Sequence, residues 1–110
     1  MDNSETPKKA NQPESIQTES GQRRSFPLGR TVQTSGALSV LNQEDVLRAI
    51  ARHSLCDWGE CCTKDVAENE FSLKEGFRLL SVYRDRNGVK FWIITEADRS
   101  VTTALLPEEY

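Results

Sequence analysis

The chain has 110 residues, enough for one small domain, and carries 14 Lys and Arg against 17 Asp and Glu for a net charge of −3. That mild acidic balance excludes the electrostatic footprint of a duplex-DNA binder. No apolar run approaches a bilayer span and no apolar signal core follows Met1, so a soluble, cytoplasmic protein without membrane contact is expected.

From Met1 to Ser25 the clearly apolar residues are Met1, Ala10 and Ile16, set among Ser, Thr, Asn, Gln, Pro, Lys and Glu. Such a segment cannot bury enough surface to offset the entropy of ordering itself, and residues 1–26 are predicted to be a disordered tail. Its basic residues (Lys8, Lys9, Arg23, Arg24) are matched by acidic ones (Asp2, Glu5, Glu14, Glu19), so it is no basic arm for nucleic acid. Residues 27–110 form the predicted domain, entered through Phe26-Pro27-Leu28-Gly29. Arg30–Thr34 reads as a short edge strand, and Ala37–Leu41 as one or two helical turns after a Thr34-Ser35-Gly36 capping signal.

Asn42 followed by Gln43-Glu44-Asp45 starts a helix with acidic residues where exposed N–H groups favour them. Val46, Leu47, Ile50, Ala51 and Leu55 then recur at helical spacing, giving an amphipathic helix over 43–54. The Gly59 loop interrupts it. A second helix is predicted from Thr63 as N-cap, through Val66, Ala67, Phe71 and Leu73, to a left-handed stop at Gly76. From Phe77 the pattern changes to β-branched and aromatic runs, 77–84, 89–96 and 100–106. The first turn is Asn87-Gly88, read as type I′, and the second is Asp98-Arg99. The predicted fold is α+β: two to three helices on one face of a three- to four-stranded antiparallel meander.

Four constellations bear chemistry. Glu96, Asp98, Arg99, Thr102 and Thr103 cluster around the second turn; Arg99 offers a fork of donors to an anion and Glu96 a base, although the same residues suit an ordinary turn and strand. His53, the one histidine, sits near the end of the first long helix and would complete a metal-free site with Glu96, Arg99 and Thr102. His53, Cys56, Cys61 and Cys62 are zinc-type ligands, but the spacing lacks paired C-x₂-C units and adjacent cysteines rarely share an ion, so no metal or other cofactor is expected. An odd cysteine count argues against a disulfide framework. Asp57-Trp58-Gly59 places an aromatic in a loop, as a core cap or a binding anchor.

His53, Asp57-Trp58-Gly59, the run Gly76–Tyr83, and above all Trp92-Ile93-Ile94-Thr95-Glu96-Ala97-Asp98-Arg99-Ser100-Val101-Thr102-Thr103 with Leu105–Tyr110 resemble a family of small uncharacterised bacterial proteins carried on plasmids and integrated mobile elements. The resemblance covers residues 28–110 and leaves out the tail. This chain departs from the family pattern in having a Cys ahead of Asp-Trp-Gly. The family brings no established activity, so the resemblance implies an accessory protein of a mobile element. Its expected action is to bind a protein partner through the meander face and loops, with Trp58, Asp98, Arg99 and Thr103 as binding residues. A looser, fold-level similarity to barnase-like ribonucleases and colicin-type toxins gives the alternative: a metal-independent ribonuclease using His53, Glu96, Arg99 and Thr102, the one reading in which RNA is a partner.

Overall fold

The computed structural model describes residues 24–110. In chain order they form β1 (Arg30–Gln33), α1 (Ser35–Val40), α2 (Gln43–Ser54), α3 (Thr63–Glu75), β2 (Leu79–Arg84), β3 (Lys90–Thr95), β4 (Val101–Leu105) and a 3₁₀ turn, Pro107–Glu109. The fold is α+β, and among the described residues no helix is long and apolar enough to cross a membrane. Of the predicted tail, residues 1–26, the first 23 lie outside those described, and residues 24–26 belong to the domain. Arg24 makes a two-pronged ion pair with Glu70 at 2.5 and 2.9 Å, and Phe26 is buried.

The helices start and stop where local chemistry says they should. The Thr34 hydroxyl accepts from the Ala37 N–H to begin α1, and the Asn42 side chain accepts from the Asp45 N–H to begin α2. Gly76, at φ 83°, closes α3 in the left-handed conformation that glycine adopts without Cβ strain. At the start of α3 the cap position belongs to Cys62, with Thr63 the first helical residue.

The sheet runs β1-β4-β3-β2. Strands β2, β3 and β4 form the predicted antiparallel meander, in register Leu79↔Thr95 and Thr95↔Thr102, but β1 lies parallel to β4, with Arg30 beside Val101. The sheet is therefore mixed, which corrects the purely antiparallel expectation. Side-chain alternation in a four-residue strand reports which residues share a face and carries no information on strand direction.

The first hairpin also differs from its predicted type. Gly88 alone is left-handed, at φ 81°, while Asn87 is not. The Asp85 carboxylate accepts from the N–H groups of Asn87 and Val89 at 2.9 and 3.0 Å, which holds a type I turn closed by a left-handed glycine instead of a type I′ pair. On the covered face of the sheet, Tyr83, Phe91, Ile93 and Ala104 meet Ala37 of α1, Leu41 just after it, and Val46 and Ala49 of α2. A second cluster joins Phe26, Cys56, Trp58 and Leu79, with Val66 and Leu73 of α3 packed against it. On the other face Tyr110 folds back edge-on against Trp92, ring centres 5.6 Å apart.

Helix α3 turns a polar residue inward and an aromatic one outward. Its buried residue is Asn69, and Phe71 is exposed. The Asn69 amide donates to the Leu80 carbonyl at 2.7 Å and accepts from the Leu80 N–H at 3.0 Å, so it completes the outer edge of β2 as a neighbouring strand would. Beside it the loop after α2 adds a parallel bridge, Gly59 to Val82.

Candidate functional site

Val46, Ala49, Ile50 and His53 lie on one stripe of α2, and that stripe faces the sheet. His53 is fully buried. Its Nδ1 is 2.6 Å from the Ser81 hydroxyl and its Nε2 is 2.9 Å from the Thr95 hydroxyl. Thr95 and Thr102 are opposed on β3 and β4 at a position where the strands exchange no backbone bonds, so their side chains come close, Oγ1 to Oγ1 at 2.7 Å. The Thr102 hydroxyl ends the chain by donating to the Leu28 carbonyl at 2.7 Å.

That last bond sets the direction of all the others. A carbonyl oxygen only accepts, so Thr102 donates to Leu28 and accepts from Thr95; Thr95 in turn accepts from the His53 Nε2–H, and Nδ1 accepts from Ser81. Every group is satisfied with a neutral imidazole. Burial is the main reason that the His53 pKa falls from 6.5 to about 4, and the positive charge of Arg99 adds to it. Phe26 and Trp58 wall the ring on two sides, at 5.1 and 5.9 Å between ring centres.

The expected catalytic set is brought together only in part. His53 and Thr102 are joined through Thr95, inside the core and away from every concavity described below. Glu96 is exposed on the turn that follows. Arg99 is at the same end of the sheet, but its guanidinium donates to four carbonyls: Phe77 at 2.8 Å, Glu96 at 3.1 Å, Ala97 at 3.2 Å and Ser72 at 3.3 Å. It ties the end of α3 to the β3–β4 turn, and it does so from a left-handed backbone, φ 62°. This is a clasp for backbone oxygens, not an open fork for a substrate anion.

The expected binding residues are similarly placed. Trp58 is a core residue, 4% exposed, whose indole N–H donates to Glu70 at 2.9 Å. Asp98 caps its own turn, accepting from the Ser100 N–H and hydroxyl, and these bonds hold its carboxyl below the usual range. Thr102 is the threonine that faces the helices; Thr103 is half-buried on the opposite face. Burial raises the thiol pKa of Cys56 and of Cys61. Among the described residues, no group of three or more His, Cys, Asp or Glu side chains is placed to hold a metal ion.

No protein-family model, curated protein or solved structure matches the chain.

The open concavities lie elsewhere. One, about 480 Å³, runs along the outer side of α3 between Lys64, Ala67, Glu68, Phe71, Ser72 and Phe77. Phe71 and Phe77 are 58% and 52% exposed and stack on each other with ring centres 5.8 Å apart. A smaller groove of about 230 Å³ lies beside β1, between Thr31, Val32, Gln33, Leu38, Leu47 and Ile50. Sequence reasoning listed Phe71 among the apolar residues of this helix without assigning it a face. The available signal was its neighbours: Val66, Asn69, Glu70 and Leu73 occupy the inner positions of α3, which leaves 64, 67, 68 and 71 as the outer stripe.

Proposed function

We propose that the protein is a non-catalytic accessory that acts by binding another protein, in keeping with the cytoplasmic, plasmid or mobile-element role that the resemblance implies. The observation that carries this reading is the solvent-exposed Phe71–Phe77 stack beside an apolar groove with Lys64 and Glu68 at its rim. Exposed stacked aromatics are uncommon on a monomer surface and supply the buried anchor of a protein interface, where a partner's apolar side chain is enclosed by a polar rim. The groups suited to chemistry are occupied: His53 is sealed and neutral, and the Arg99 guanidinium is bound to backbone oxygens. The binding surface is thus assigned to α3 and Phe77 instead of the meander loops.

The test is affinity capture from host extract with the full chain, comparing the natural sequence with a Phe71→Ser, Phe77→Ser double variant whose folding is checked by circular dichroism. A specific protein retained by the first and lost by the second is the expected result. Equal recovery by both defeats the assignment, and RNA cleavage abolished by His53→Ala would replace it with the ribonuclease reading.

A further inference from the structure

The open strand edge is a different surface from the α3 groove, and it points to a partner of a different kind. We infer that a second copy of this chain pairs antiparallel along β1, joining two sheets into one. In the parallel β1–β4 pair the Arg30 N–H bonds the Ser100 carbonyl at 2.9 Å and the Thr34 N–H bonds the Ala104 carbonyl at 3.1 Å. Residues 30, 32 and 34 therefore face β4, and Thr31 and Gln33 turn their N–H and C=O groups outward, where they meet no strand among the described residues.

These two donors and two acceptors are symmetric about Val32. A second copy laid antiparallel, Val32 over Val32, sets Thr31 opposite Gln33 of the second copy and makes four backbone hydrogen bonds about a twofold axis. The same register puts Arg30 opposite Thr34, so like charges do not meet. No proline or lysine guards the strand, the usual devices that keep an edge from pairing.

Two side-chain features favour a second copy over an unrelated strand. Gln33 Oε1 is the one buried side-chain polar atom without a hydrogen-bond partner among the described residues, and the twofold register sets Thr31 of the second copy opposite Gln33, on the same face of the joined sheet. Leu38 and Leu47, 59% and 67% exposed, line the groove on the helix side of the edge, and the twofold carries both pairs of leucines to the same side of the joined sheet. A seam of four-residue strands is small, at the low end of specific interfaces, and a dissociation constant on the order of micromolar follows.

Sedimentation of the full chain over a concentration series through that range tests the inference. The expected result is a monomer–dimer equilibrium. Thr31→Pro removes an outward N–H and no bond to β4, and Leu47→Glu charges the groove; each is expected to weaken dimerisation about tenfold or more, with an unfolding midpoint equal to that of the natural chain at dilutions where both are monomeric. A chain that stays monomeric throughout overturns the proposal, as does a dimer that both variants leave intact. Amide exchange at Thr31 and Gln33 gives the second readout, with protection expected to rise with concentration. Protection independent of concentration would place residues 1–23 of the same chain on the edge and would also overturn it.

Discussion

Along β2, alternate residues turn their peptide groups away from β3, and the structure closes them: Leu80 pairs with the Asn69 amide, and Val82 accepts from the Glu60 N–H at 2.7 Å and donates to the Trp58 carbonyl at 3.3 Å. Along β1, the equivalent groups of Thr31 and Gln33 are left without partners among the described residues, beside exposed leucines. β2 is the longer and more apolar strand, six residues (Leu79–Arg84) against four (Arg30–Gln33), and the chain beside it is shaped to cover it. Closing an edge takes a buried amide at one helix position and a loop bent into a strand-like path. That loop is held from beneath by Trp58 against His53, so the buried polar chain and the sealed edge form one structure. Among the described residues the β1 edge has no such support, and it is the edge on which the proposed pairing is placed.

The largest way to break this contrast is Gly59→Ala. Gly59 sits at φ 69°, and a Cβ there would run into the Val82 carbonyl oxygen and lie 2.8 Å from the Tyr83 ring. Strain and overlap together predict a loss on the order of 4 kcal/mol, read by denaturant unfolding, with β2-edge amides newly exchanging. No change in stability would show that the bridge to Val82 does not form.

Acid should loosen the same side next. The pKa of His53 is about 4 in the folded chain against 6.5 ordinarily, so between those values the unfolded chain binds the extra proton. Its contribution is complete above pH 6.5 and is lost as the pH falls toward 4, on the order of 3 kcal/mol over the window. Glu70 is held near 2, chiefly by its bonds to Arg24 and Trp58, and acts at lower pH. Unfolding curves at stepped pH should therefore slope between pH 6.5 and 4 for the natural chain and lose most of that slope in His53→Gln. A flat profile for the natural chain would contradict a buried neutral histidine.

Asn69→Ala is the smallest of the three. It strips the partners from the Leu80 N–H and carbonyl, for about 2 kcal/mol, and is expected to turn β2 into a second open edge. If the variant dimerises more tightly than the natural chain, the seal is what keeps that edge from pairing.

Much of this was legible in the residues. The limits of α2 follow from Asn42 and the Val46 stripe, the end of α3 from Gly76, and the three meander strands from their β-branched runs. His53 continues the Val46–Ala49–Ile50 stripe, so its burial was open to inference, although its pairing with Ser81 and Thr95 depends on where the strands lie. The parallel placement of β1 was not legible, because alternation has no direction. Neither was the work of Asn69 and Arg99: a polar residue on a helix and a cation in a turn read as surface until the backbone groups they satisfy come from distant parts of the chain. Asn87-Gly88 misled for a related reason, since the carboxylate of Asp85 selects a different turn.

The hydrogen-bond string from Ser81 to Leu28 has one polarity, and this limits how the sequence can drift. Replacing Thr95 by Val strands the His53 N–H and takes from the Thr102 hydroxyl the donor it accepts from, whereas exchanging the whole set for apolar residues of matching shape leaves only the Leu28 carbonyl to find another donor. Positions 53, 81, 95 and 102 should then change together or not at all among related chains, inherited as a single word instead of four letters.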